Sequence, residues 1–385
     1  PEHGQTPPKT QSSPGNARLC DPEQRGFWAV SRHSDVIKVS LDQELFSSEL
    51  GGSLVQDLDE ERLAQMRLWM INQDAPGHTK LRKLVNKGFT KRMIEQIDLH
   101  VRNLTKEILD KVARKGECDF VTEIASELPL LVIAELVGCP VEDRGKLFKW
   151  SNSMIGFEDP DFKDETQATD SMLELLEYAG HLAKLRRSDP RDDLTSVLLH
   201  AEIDGERLDE LNFGMFFVLL ILAGNETTRN AISGGMLALS ENPDQRRMLA
   251  NDPKLLNTAT EEILRYVSPV ITMRRTATRD TEIAGQKICK NDKVVMFYPA
   301  ANRDATVFEN PQQFDITRDP NPHLAFGWGP HFCLGASLAR AEIRCMFGEL
   351  LARFPDIEVS GPVRRLRSST VNSIKTMPVR FTPEC

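Results

Sequence analysis

At 385 residues, with 40% hydrophobic and 27% charged positions, the chain has the make-up of a folded globular protein and not of a disordered one. A formal net charge of -9, with no long basic run, argues against non-specific nucleic-acid binding. The seven cysteines (Cys20, Cys118, Cys139, Cys289, Cys333, Cys345 and Cys385) are odd in number and contain no CxxC pair, so they read as reduced thiols in a cytoplasm, not as a disulfide framework.

In chain order, PEHGQTPPKTQSSPGNA is rich in Pro, Gly, Ser and Gln and lacks the apolar run of a signal peptide, so residues 1–26 read as a loose leading segment. FWAV (27–30) is β-prone, and SRHSDVIKVSLD reads as a capped helix. From about 59 to 350 the periodicity is mainly helical, with KRMIEQIDLHVRNLTKEILDKVARKG stopping at Gly116 and EIASELPLLVIAELVG at Gly138. The longest apolar run, FGMFFVLLILAG (213–224), falls short of the roughly 20 residues that cross a bilayer. It is read as a core helix, and no membrane anchor is expected.

Strand-like pieces cluster in TATRDTEIAGQKICKNDKVVMFYPAANRD, with turns at Ala284-Gly285 and Asn291-Asp292, and in the tail segments IEVSGP and TMPVRFTP. No repeat and no composition boundary divides the chain. Residues 27–385 are therefore expected to form a single domain, mainly α with a minor β portion.

The chemistry concentrates in FGWGPHFCLGASLAR (326–340). Gly327, Gly329 and Gly335 remove side chains around Cys333, so the backbone can turn tightly and a flat ligand can come close. The helical pattern ASLARAEIRCMFGELLARF puts Cys333 at a helix N-terminus, where free N–H groups favour a negative sulfur. No second Cys or His stands at zinc-ligand spacing, and His331 is too near to chelate the same ion. A macrocycle that brings four nitrogens needs only one protein ligand, and haem is such a group. The arrangement Phe326-x-x-Gly329-x-x-x-Cys333-x-Gly335 resembles the haem-binding signature of the cytochrome P450 superfamily, the haem-thiolate monooxygenases.

Other segments match the same family in order. On periodicity alone, AGNETTRN (223–230) is a helix leaving the core, with Phe216, Leu219, Ala223 and Thr227 on one face. The resemblance gives that face to the haem's oxygen-binding side, with Phe216, Leu219 and Ala223 as pocket wall, Ala223 and Gly224 as the space-making residues, and Glu226 and Thr227 as the catalytic acid–hydroxyl pair. Glu262 and Arg265 in EEILRY would by themselves be a solvated helix pair. In the family they join a second arginine, here Arg318, in a buried structural network. His78 and Arg82 in QDAPGHTKLRK, one turn apart, match the family's holders of a haem carboxylate. Arg275 and His331 match the remaining contacts, with Arg274 as a competitor for the role of Arg275.

The resemblance covers nearly everything from Phe27 onward. It implies the cytochrome P450 fold, a triangular helical domain around haem with small antiparallel sheets. The implied cofactor is haem b (iron protoporphyrin IX), with Cys333 as axial thiolate. The implied reaction inserts one atom of O2 into a C–H bond of an apolar small molecule. GNETTRNAISGG lacks dinucleotide-binding spacing, so electrons are expected from a ferredoxin served by an NAD(P)H-dependent reductase. The docking face would draw on Lys80, Lys83, Lys87, Lys91, Arg92, Arg340 and Arg344, each of which also reads as an ordinary solvated helix charge. A monomer in the cytoplasm goes with this picture. The family's helix ahead of FWAV is missing and the chain starts without Met, so a trimmed N-terminus is expected.

MINQDAPGHTKLRKLVNKGFT, WSNSMIGFEDPDF and SIKTMPV look like the actinobacterial group that oxidises terminal methyls of methyl-branched fatty acids, isoprenoids and cholesterol side chains. The expected activity is accordingly ω-hydroxylation, with hydroxylation of a steroid ring or terpenoid as the alternative. A non-catalytic haem-thiolate sensor or carrier is a third reading, disfavoured by Glu226 and Thr227.

Overall fold

The computed structural model describes residues 17–21, 24–86, 91–155, 159–162, 165–202, 205 and 207–384. Its helices are α1 His33–Leu41, α2 Glu60–Met66, α3 Gly77–Asn86, α4 Lys91–Val112, α5 Glu127–Leu136, α6 Arg144–Ile155, α7 Glu165–Ser188, α8 Leu194–His200, α9 Glu210–Glu241, α10 Pro243–Asn251, α11 Leu256–Val267, α12 Tyr298–Ala301 and α13 Ala336–Arg353. The strands are short: β1 Ala17–Asp21, β2 Gln24–Val30, β3 Phe46–Ser47, β4 Glu117–Asp119, β5 Thr272–Ala277, β6 Thr281–Ile283, β7 Gln286–Ile288, β8 Lys293–Phe297, β9 Glu358–Val359, β10 Arg364–Arg365, β11 Ile374–Thr376 and β12 Pro378–Arg380. The balance is mainly α with a minor β portion.

The apolar run expected in the core is the middle of α9. The Asp209 carboxylate caps the helix by accepting from the Asn212 N–H at 2.7 Å, and Pro243 opens α10 immediately after Asn242 ends it. By length and composition α9 could cross a membrane, yet 61% of its most apolar window is buried inside the protein. A helix apolar all round is a core axis when other helices cover it, and here α5, α7, α11 and α13 pack on it. Gly234 and Gly235 make the closest of these contacts possible, because a Cβ on Gly234 would come within 2.6 Å of Val267 and one on Gly235 within 2.9 Å of Ile263 and Phe347.

Strands β1, β2, β8, β5 and β3 form the largest sheet, in that order. β2 and β8 run parallel, which departs from the expected antiparallel sheets. The helical body separates the two strands in sequence, so a long crossover joins them instead of a hairpin. Residues 17–21 also depart from the expected loose segment, since Ala17–Asp21 pairs along β2 from Ala29 back to Gln24. The free edge of β2 offers unpaired backbone groups that a preceding strand can satisfy, whatever its composition. Residues 1–16 lie outside the described part. The turn at Ala284 (φ 49°) and Gly285 (φ 79°) closes the β6–β7 hairpin as its sequence requires. Helix α1 lacks the side-chain cap expected at its start; the Asp304 carboxylate accepts the His33 N–H instead, at 2.9 Å.

Candidate active site

A cavity opens between α9, α3, β5, α12 and the loop that leads into α13. It encloses about 1520 Å³ free of atoms, the open solvent at its mouth included. One wall is the face of α9 that carries Phe216, Leu219, Leu220, Ala223, Gly224 and Thr227. Ala223 is exposed although it sits mid-way along a core helix, because its neighbour is the cavity. The Thr227 hydroxyl donates to the Ala223 carbonyl at 2.8 Å.

Opposite α9 lies the 325–335 loop, with Phe326, Cys333 and Gly335 in the lining. Gly329 takes φ +70°, and a Cβ there would approach the Ser40 carbonyl to 2.9 Å, so glycine is required. Gly335 is different: a Cβ would meet no protein atom within 4 Å. Its bare face borders open space beside the sulfur. Cys333 stands two residues ahead of the Gly335 N-cap of α13. Burial pushes its thiol up, and the Gly335 N–H with the charges of Arg82 and Arg340 only partly offsets this. The N–H at the helix start thus acts in the expected direction, while burial outweighs it.

Two guanidinium groups and two imidazoles converge at one side of the cavity. His78, Arg82, Arg275 and His331 all line it, with the two imidazole centroids 4.0 Å apart. Burial and the nearby guanidinium groups of Arg82 and Arg275 push His78 down to about 4. Burial, Arg275, His78 and Arg82 push His331 down to about 2. Among the described residues neither Arg82 nor Arg275 has a carboxylate in ion-pair contact, and the buried His78 Nδ1 has no partner. Like charges gathered without counter-charge cost stability, and an anionic ligand with carboxylates would relieve them. The unpartnered imidazole, the bare face of Gly335 and the buried sulfur together fit iron protoporphyrin IX.

Arg274, the competitor for Arg275, is engaged elsewhere. Its guanidinium donates to the Gln56 carbonyl at 3.1 Å and to Asp57 at 3.0 Å.

The structure brings Glu262, Arg265 and Arg318 together beneath the loop. Arg265 makes two bonds to the Glu262 carboxylate, at 2.7 and 2.8 Å, and Arg318 Nε donates to it at 3.1 Å. Arg265 also donates to the carbonyls of Asn302, Pro311 and Gln313, so the pair of Glu262 and Arg265, both fully buried, ties two chain segments to α11, the end of α12 and the 311–318 loop.

Glu226 is not part of the cavity lining. Its carboxylate accepts from Arg229 at 2.6 Å and from Ser373 at 3.0 Å. Arg340 departs from its expected place among free docking cations. It makes a two-point pair with Glu261, 2.7 Å at each contact, and lies 4.5 Å over the Phe326 ring. Lys87 falls outside the described residues, and so do the side chains of Lys91 and Arg92.

Three groups went unnoticed in the sequence. Tyr298 and Glu342 line the cavity, and Glu261 joins Arg340 and His323. Glu342 is 2% exposed, and its Oε2 has no partner. Burial holds its carboxyl well above the usual range. Its signal was available: Leu338, Ala341, Glu342 and Cys345 make one apolar face of α13, and an acid on such a face is out of place.

A family model described as Cytochrome P450 matches residues 8–363. A steroid C26-monooxygenase of Rhodococcus jostii (strain RHA1) is 45% identical over 361 residues, 92% of this chain and 76% of that protein. A methyl-branched lipid omega-hydroxylase of Mycobacterium tuberculosis (strain ATCC 25618 / H37Rv) is 42% identical over 363 residues, 93% and 84% of the two chains. Among solved structures, a Mycobacterium marinum cytochrome P450 in complex with pseudoionone superimposes with a TM-score of 0.87 at 40% identity, covering 94% of this chain and 89% of the other.

Proposed function

The chain belongs to the cytochrome P450 family, and on that premise we propose that it hydroxylates the terminal carbon of a methyl-branched lipid or sterol side chain. It is a monooxygenase, placing one oxygen atom of O2 in its substrate and reducing the other to water. The observation that carries the substrate class is the identity, above 40% across most of the chain, with relatives named for those two activities. The apolar wall of Phe216, Leu219 and Leu220, continued by Ile133 and Met70, supports it.

Bound iron protoporphyrin IX supplies the activation of O2, which no side chain can perform. Cys333 Sγ would be its protein ligand; a metal-bound thiol is a thiolate, which reverses the upward push of burial. Arg82, Arg275, His78 and His331 would hold the carboxylates, arginine suiting them by its two-point geometry. Ala223 and Gly224 keep side-chain bulk away from the space in front of α9. The apolar residues beyond them exclude water and orient a hydrocarbon guest end-on. Thr227 holds a proton on Oγ1, now shared with the Ala223 carbonyl. Glu226, the preceding residue on α9, would replace that proton.

Electrons come, in this reading, from a ferredoxin and its NAD(P)H-dependent reductase, docked near the exposed Lys83 and the face of α13. A cytoplasmic monomer goes with it.

The test is an optical titration of the ferric protein with a methyl-branched fatty acid, cholest-4-en-3-one and a compact cyclic terpene, followed by product identification. A shift toward high spin with the first two, and a terminal alcohol as product, is the expected result. A response to the terpene alone, or oxidation of a ring, overturns the substrate class.

A further inference from the structure

The tail of the chain contributes two side chains that the proposed chemistry has not used. Ser373, 2% exposed, donates from Oγ to Glu226 Oε1 at 3.0 Å. Arg229 Nη2 reaches the same oxygen at 2.6 Å and the Ser373 hydroxyl at 3.4 Å. The acid next to Thr227 is therefore held by its own helix and by a residue 147 positions away.

Two residues on, in β11, stands Lys375. Its Nζ lies 3.0 Å from both oxygens of Asp159 and 2.6 Å from Asp161. Asp159 belongs to the segment between α6 and α7 and is 2% exposed. It also accepts the backbone N–H of Arg367 at 2.8 Å. Burial pushes its carboxyl up, but the Arg367 and Asp161 N–H groups and Lys375 more than reverse this, and the net direction is down. Arg364, in the paired strand β10, closes on Asp161 at 2.8 Å. One hairpin thus grips the α6–α7 segment at Lys375 and Glu226 at Ser373. The residues between its strands pack beside the cavity, as Val371 bridges to the cavity-lining Val270 and the Ser369 carbonyl accepts from the Thr272 hydroxyl.

We propose that Ser373 is a positioning residue for Glu226, and that the Asp159–Lys375 ion pair fixes the place of Ser373, so that the α6–α7 segment governs proton supply to the cavity. The proposal rests on the reading of Glu226 as the group that re-protonates Thr227. A hydroxyl and a guanidinium donating to one carboxylate set its rotamer and its distance from the Thr227 hydroxyl. Moving the hairpin moves one of the two donors.

The test uses the haem-loaded full chain with an electron-supplying system and four variants: Ser373→Ala, Ser373→Thr, Lys375→Gln and Glu226→Gln. The readouts are product formed per electron pair, the solvent deuterium isotope effect on turnover, and substrate affinity by optical titration. Ser373→Ala and Lys375→Gln are expected to lower product per electron pair by roughly fivefold, the scale of one hydrogen bond. They should also raise the isotope effect, with affinity unchanged, and Ser373→Thr should restore both. If Glu226→Gln uncouples while Ser373→Ala and Lys375→Gln behave as the parent, the positioning proposal is overturned and the role of Glu226 stands. If Glu226→Gln itself couples normally, that role falls and the proposal with it. Uncoupling by Ser373→Ala with an unchanged isotope effect and no rescue by threonine marks a merely structural serine, which also overturns it.

Discussion

Arg274 and Arg275 are neighbours in β5 and serve opposite faces of the strand. Arg275 shares the cavity face with Met273, while Arg274 turns away to bind Asp57 at 3.0 Å and the backbone of the 53–57 loop. Strand alternation divides two chemically identical side chains between cavity and scaffold.

That division predicts different losses. Arg275→Gln should speed haem release by roughly ten- to a hundredfold, equivalent to the ~1.5–3 kcal/mol of a charge-assisted hydrogen bond. Arg274→Gln should leave haem release near the parental rate and lower thermal stability instead. Transfer of haem to an acceptor globin, alongside thermal melts, separates the two; equal haem loss in both variants contradicts the assignment.

Cys333→Ala should abolish the red-shifted Soret band of the reduced carbon monoxide complex. Persistence of that band would mean that another side chain ligates the iron.

Thr227→Ala should keep that spectrum and divert electrons to hydrogen peroxide. Product per electron pair should fall by roughly tenfold, water recovering part of the about 10²-fold that a positioned proton donor contributes. Peroxide and product assays on the same sample decide it.

Glu342 gives a pH prediction. Its carboxyl is held above the usual range by burial alone, so the folded state keeps a proton that the unfolded chain releases. Stability is then greatest below the ordinary carboxylate pKa and falls as pH rises toward the folded value, by up to ~1.4 kcal/mol per pH unit. Glu342→Gln should flatten that slope and gain most at alkaline pH. Thermal melts from pH 5 to 8 would show the two curves diverging upward in pH; parallel curves would place the ionisation elsewhere.

Glu262→Ala removes the shared partner of Arg265 and Arg318, leaving Arg265 charged at 0% exposure. Breaking a buried pair on one side costs about 3–5 kcal/mol. Denaturant titration should show that loss, with Glu262→Gln retaining part of the stability through its remaining acceptor.

What the sequence made legible follows from how local each signal is. The cysteine loop, the long core helix and the β6–β7 turn are specified by adjacent residues, and each lies where its spacing implied. The pairing of β1 with β2 was invisible because it depends on an unsatisfied edge and not on composition. Arg340 was misplaced for a related reason: nothing in GASLAR reveals that Glu261, 79 residues earlier, holds it at 2.7 Å. Ser373 and Lys375 lie in SIKTMPV, legible only as a likeness to a group of lipid-oxidising enzymes; nothing in that stretch reveals Glu226 and Asp159, to which only the folded tail brings them.

The way α9 divides its circumference has a consequence for how this enzyme can change. Phe217 and Val218 are at most 1% exposed and packed on all sides, so truncating Phe217 should cost about 3–5 kcal/mol. Leu219, Leu220 and Ala223 line the cavity one position further along, and Leu219 and Leu220 are only partly buried against the core, so a change of size there is taken up on the cavity side and costs less than one at Phe217. The shape offered to the guest can therefore drift over generations while the axis of the fold stays fixed, and a selection for new substrates should collect its substitutions on that one stripe.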